Sequence, residues 1–183
     1  ARECGGDVPF LRPAALAQDD TPMWPVLRHA LEEMESLDGC RYGSVLLLSP
    51  TSPARLPEDI SQAVRLLEQD DETVGVVAAS EPRFNPRWVC IEIAENGYMR
   101  QSFPAGKVYV RRQDVPAVYR INGVLYLWRR DHVANSEGPR YYEMPHRMLE
   151  IPESRAIDID SPLDFRLAEL MLREGMIRFP WLL

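Results

Sequence analysis

The sequence predicts an α/β fold with a mostly parallel sheet flanked by helices, and three observations carry that expectation. "SVLLLSPTSPARLPEDISQAVRLLEQ" reads as a strand, a proline-punctuated loop and a helix, and "TVGVVAAS" follows as a second strand, which completes a βαβ unit. Both strand runs are continuously apolar, the pattern of strands covered by helices on two faces. At 183 residues, 45% hydrophobic and 27% charged, the chain is long enough for one domain with a real core and short for two. A single domain over 1–183 is therefore expected.

The elements follow in order. "ARECGG" resembles the last turn of a helix closed by glycine, so the chain is expected to begin inside an element, N-terminally incomplete. A loop with prolines at 9, 13 and 22 leads to an amphipathic helix over 22–36, with Thr21 as its cap and Pro22 at its first position. Val26, Leu27, Ala30, Leu31 and Met34 keep helical spacing along it. In the βαβ unit the loop Ser49 to Arg55 lies beyond the carboxyl end of the first strand, where open α/β sheets gather their ligands. From Arg87 onward, "RWVCIEIAENGYMRQSF" reads as two strands about an Asn96-Gly97 turn, a hairpin that can project as an arm. "VYRINGVLYLW" adds a strand over 124–128 and "RAIDID" a last one. The closing helix has Ser161 as cap and Pro162 next, with Leu163, Leu167, Leu170 and Met171 on one face and Gly175 after it.

Composition excludes several function classes. A net charge of -7 argues against a nucleic-acid-binding surface. Of the 21 basic residues all but Lys107 are arginines, a bias more often set by genomic base composition than by ligand binding. No apolar run approaches the roughly 20 residues needed to cross a bilayer, and the expected location is the cytosol. Cys4, Cys40 and Cys90 are odd in number and far apart, and His29, His132 and His146 are scattered, so neither a disulfide framework nor a zinc site is expected.

The acidic cluster in "AIDIDSPLDF" is the strongest chemical signal. If 156–160 is a strand, Asp158 and Asp160 project from one face, roughly 7 Å apart along it, while Ile157 and Ile159 point into the core. Two carboxylates so placed can hold a divalent cation such as Mg2+, which typically takes one or two carboxylates plus substrate phosphate oxygens. A polar loop edge accounts for the same two residues equally well. Asp164 lies three residues after Ser161 and fits a capping box better than a metal site.

Four blocks in order, "VPFLRPAALAQDDTP", "LLLSPTSP", "RRQDVPAVYRINGVLYL" and "AIDIDSPLDF", resemble the acylneuraminate cytidylyltransferases, the CMP-sialic acid synthetases and their bacterial relatives acting on legionaminic and pseudaminic acids. The resemblance runs from Val8 to about Leu170. It implies a Rossmann-like nucleotidyltransferase and a homodimer built through a projecting arm, here around 88–115. It further implies Mg-dependent transfer of CMP from CTP to the anomeric hydroxyl of a nonulosonic acid, with release of pyrophosphate. Under the resemblance Asp158 and Asp160 fall on magnesium-binding aspartates, Arg12 on an arginine near the nucleotide, and Arg112 and Asn122 on residues near the sugar. Tyr126 follows at the matching offset, and Tyr141 and Tyr142 fall where relatives set aromatic rings against the acyl group.

Two departures bound what the resemblance implies. Ser49 stands where relatives commonly carry glutamine, a change of hydrogen-bonding capacity beside the sugar. The family's opening strand and Lys- and Gly-rich phosphate loop have no counterpart here, and Lys107 lies far along the chain. The 183-residue chain alone is therefore expected to turn over negligibly. Two other readings stay open: a non-catalytic remnant that binds sugar acids or dimerises, and a cytidylyltransferase for another keto-acid sugar such as 3-deoxy-manno-octulosonate.

Overall fold

The computed structural model describes residues 2–103 and 109–180. The middle of the expected arm, with Lys107, lies outside the described residues, as do Ala1 and 181–183. The elements are α1 (Met23–Asp38), β1 (Ser44–Leu47), α2 (Pro57–Glu68), β2 (Gly75–Ser80), α3 (Pro86–Val89), β3 (Ile91–Ile93), β4 (Met99–Gln101), β5 (Arg120–Arg129), α4 (Arg130–Asn135), β6 (His146–Glu150) and α5 (Pro162–Arg173). Among the described residues no helix is long and apolar enough to cross a membrane.

Four strands form a sheet in the order β1-β5-β2-β6, and β3 and β4 form a separate hairpin. β5 runs antiparallel to β1, pairing Val45 with Trp128 and Leu47 with Tyr126. Hydrogen bonds from Val74 N to Pro145 O and from Ile151 N to Ala79 O, both 2.9 Å, bracket β2 and β6 in the same chain direction. The sheet is thus mixed and mostly parallel, with β5 reversed. All six residues of β2 are buried, as its unbroken apolar run requires.

The chain clusters into two compact units. One comprises residues 1–47, 63–76 and 126–147. Its core sets Trp24, Leu27 and Leu31 of α1 against Trp128 of β5 and Val133 of α4. Leu27 and Leu31 share the buried face, as expected, and Trp24, not among the expected residues, joins them, although the helix starts one residue later than its capping signal implies. Pro22 is the cap, in extended conformation, because the Thr21 hydroxyl is taken by Gln18 N at 3.2 Å in the preceding turn.

The other unit comprises residues 48–62, 77–125 and 148–183. Its α5 carries the expected capping box: Ser161 Oγ accepts from Asp164 N at 3.3 Å, and the Asp164 carboxylate accepts from Ser161 N at 2.8 Å. The Ser161 hydroxyl holds that carboxyl below its ordinary range. Of the four residues expected on one face of α5, only Met171 is buried. Ala168 and Met171 are buried, whereas Leu163 is 74% exposed and Leu167 and Leu170 also face outward. The chain after α5 folds back, Met176 N and Ile177 N both bonding Met171 O, so Ile177 and Phe179 gather on the Met171 side with Ala54.

The expected strand over 156–160 is also corrected. The segment follows a 3-10 turn, Glu153–Arg155, and joins no ladder. Its one backbone bond to the 49–55 loop runs from Ile159 N to Thr51 O at 2.8 Å. That loop carries Pro50 and Pro53, which have no N–H to offer a strand. Side chains still alternate, with Asp158 and Asp160 exposed and Ala156, Ile157 and Ile159 turned inward.

The hairpin about Asn96-Gly97 is present: Ile91 pairs with Gln101 and Ile93 with Met99, and Glu92 bridges to Arg100 at 2.7 Å. Ile91, Ile93, Tyr98 and Met99 are exposed on it.

Candidate active site

The loop after β1 is coiled by its own side chains. The Arg55 guanidinium donates to the carbonyls of Ser49 and of Ser52, the latter at 2.9 Å, and the Ser49 and Thr51 hydroxyls meet at 2.7 Å. This turns Ser52 inward, fully buried, where its hydroxyl donates to Asp158 Oδ1 at 3.4 Å. Gly123 completes the corner with φ 74°; a Cβ there would lie 3.2 Å from Ser52 Oγ and 3.9 Å from Asp158 Oδ2. Only glycine takes that conformation without strain while leaving the carboxylate clear.

Asp158 and Asp160 are exposed, and among the described residues neither joins an ion pair. By contrast Glu35, Asp59 and Asp70 are each neutralised by an arginine. Among the described residues no three His, Cys, Asp or Glu side chains form a metal cage. Two exposed carboxylates without an ion-pair partner are a donor type that a hard cation can use, with water and phosphate oxygens completing its shell.

The remaining expected residues are distributed as follows. Asn122 is buried, donating to Ser80 Oγ at 2.8 Å and accepting from Val124 N at 3.1 Å, so both ends of its amide are engaged. Arg112 is exposed beside a cavity of about 330 Å³ that also involves Glu81 and Asn85; it donates to Arg83 O at 2.8 Å. Arg12 is exposed, with a long 3.5 Å bond to Leu16 O.

In the other unit Tyr126 stacks on Trp128 at 5.5 Å, and Tyr141 lies 6.3 Å from Tyr126 and 6.4 Å from Trp128. These rings, with Met23, Trp24 and Leu47, line a mostly apolar cavity of about 370 Å³. Burial raises the Tyr141 hydroxyl well above its ordinary range, so that wall stays uncharged. Tyr142 meets Tyr141 edge-on at 6.4 Å but is 94% exposed. The chemistry of the sequence pointed to Asp158, Asp160 and the tyrosines. It missed Trp24, Trp128 and Ser52; the recurrence of Trp24 with Leu27 and Leu31 at helical spacing was the available signal for the first.

No family model matches the chain. It is 30% identical to a CMP-N,N'-diacetyllegionaminic acid synthase of Legionella pneumophila over 94% of this chain and 72% of that protein. It is 29% identical to the post-translational flagellin modification protein B of Campylobacter coli over 95% of this chain and 72% of that protein. Among solved structures it is similar to a CMP:2-keto-3-deoxy-manno-octonic acid synthetase complexed with CTP, with a TM-score of 0.57 at 14% identity, covering 86% of this chain and 70% of that one. That likeness establishes the α/β nucleotidyltransferase fold. The 30% identity to the legionaminic acid synthase, over nearly the whole chain and 72% of that protein, places the chain in the acylneuraminate cytidylyltransferase (CMP-sialic acid synthetase) family.

Proposed function

We propose that the protein transfers CMP from CTP to the anomeric hydroxyl of a nonulosonic acid, releasing pyrophosphate, in a Mg-dependent reaction carried out in the cytosol by a homodimer. The observation that carries this reading is the pair of exposed, unpaired carboxylates of Asp158 and Asp160, in a chain of this family. These two residues would hold Mg2+, whose charge offsets the negative charge growing on the departing pyrophosphate. Ser52 and Gly123 keep one face of Asp158 tethered and the other clear. Arg112, an exposed planar fork, suits the sugar carboxylate. The Tyr126, Trp128 and Tyr141 wall suits an acylamido substituent, apolar at its methyl and uncharged throughout. Asn122 serves by holding β5 to β2 through its bond to Ser80 Oγ. The exposed Ile91, Ile93 and Met99 of the hairpin supply the apolar surface for a dimer contact.

The test uses the complete protein with CTP, Mg2+ and a panel of sialic, legionaminic and pseudaminic acids, reading CMP-sugar by anion exchange. Turnover is expected with at least one acid. Asp158→Asn and Asp160→Asn are each expected to lower it by at least about 10²-fold without changing the melting temperature. Unchanged Mg-dependent turnover in both variants removes the metal assignment, and no CMP-sugar with any acid removes the activity.

A further inference from the structure

Asp158 and Asp160 belong to no sheet ladder, so something other than backbone pairing must fix where their carboxylates point. The segment from Ile151 to Asp160 is fastened largely through side chains. Ser80 Oγ donates to Ile151 O at 2.6 Å, and Arg120 grips Glu153 Oε1 and, at 3.1 Å, Ala156 O. Deeper in the unit, Asp59 is 4% exposed in the first turn of α2, its carboxylate accepting from Leu56 N at 2.7 Å. Arg155 closes on it with both arms of the fork, at 2.6 Å to Oδ2 and 3.0 Å to Oδ1, and also reaches Ala54 O at 3.4 Å.

One guanidinium therefore ties the start of α2 and the end of the 49–55 loop to a point three residues before Asp158. Beyond that point the same loop is bonded again, through Thr51 O to Ile159 N and through Ser52 Oγ to Asp158. We infer that the Arg155–Asp59 pair is the positioning element for the Asp158 and Asp160 carboxylates, an inference that rests on reading those two as the metal-binding pair. A buried ion pair is a poor source of net stability compared with apolar side chains of the same volume, and its attested use is to fix one arrangement among several. The planar fork matters as much as the charge, because a lysine ammonium cannot hold both carboxylate oxygens and a carbonyl in one plane.

The experiment compares the complete wild-type protein with Arg155→Lys and with Arg155→Met/Asp59→Leu, which leaves no buried charge unpaired and so keeps the fold. Amide hydrogen exchange is read on peptides covering 156–160, and Mn2+ binding by the electron paramagnetic resonance of the free ion. Both variants are expected to show at least about tenfold faster exchange at Ile159 and at least about tenfold weaker Mn2+ binding, with exchange in α1 unchanged. Exchange within about twofold of wild type in the double variant overturns the inference, as does faster exchange with unaltered Mn2+ affinity. Wild-type protein that binds Mn2+ no better than Asp158→Asn sinks the metal reading first and this inference with it. Normal wild-type Mn2+ binding that both variants retain sinks this inference alone and leaves the metal reading standing.

Discussion

The ring cluster of the first unit and the aspartate segment of the second are held together by opposite means. Around Trp128, the Trp24 ring sits edge-on at 5.1 Å and Tyr126 lies almost flat against it, so the cluster coheres by shape and by removal of apolar surface from water. Around Asp158 the neighbouring Ala156 and Ile157 turn inward, but the carboxylate itself is exposed and its aim comes from a handful of directional polar bonds that reach the 49–55 loop and α2. The first arrangement fails gradually, by loosening. The second fails by losing one bond and with it the aim of a charged group. Apolar packing can tolerate the former, whereas two carboxylates proposed to share one ion cannot tolerate the latter.

Three substitutions probe that contrast. Trp128→Ala strikes the cluster where it is only 2% exposed and is expected to cost about 3–5 kcal/mol in urea denaturation; a cost near zero would show that the rings do not anchor the unit. Gly123→Ala strikes the other region. Its left-handed backbone and the 3.2 Å approach to Ser52 predict a loss of about 1–2 kcal/mol, with turnover falling further than that loss of stability explains. Equal activity per folded molecule would mean that the corner beside Asp158 has room to spare. The third effect is the smallest. Burial pushes the His146 imidazole below its ordinary 6.5, so as the pH falls past that value the unfolded chain takes up the proton first and the folded state loses stability. Melting temperatures from pH 7 to 5 should decline more steeply for wild type than for His146→Gln, and parallel curves would show that the ring is better solvated than its packing implies.

Much of the fold was legible because its signals are local. The apolar period of α1, the apolar runs of β1 and β2, the Asn96-Gly97 turn and the Ser161–Asp164 capping box each lie within a few residues of what they determine. The expected strand over 156–160 failed because its outcome depends on a partner about a hundred residues away, where two prolines remove the ladder's donors. β6 was missed because it is short and only Leu149 of its five residues is buried, which leaves little apolar signal. Which residues of α5 are buried was not legible, because helical spacing offers more than one apolar stripe and only the fold-back onto Met171 selects between them. In the site, the aspartates were visible as a motif, but the Arg155–Asp59 fork was not. Read alone, Arg155 is an ordinary surface cation and Asp59 an ordinary helix-start acid, and their meeting is purely tertiary.

The outward leucines of α5 are one apolar surface through which the purified chain is expected to self-associate at high concentration. Leu163, Leu167 and Leu170 offer water a greasy ridge, while a net charge of -7 keeps neighbouring molecules apart. Dilute buffer favours the repulsion. Sulfate or phosphate screens it and at the same time strengthens the attraction between ridges, so these salts are expected to drive the chain toward precipitation through the helix that begins just after Asp160.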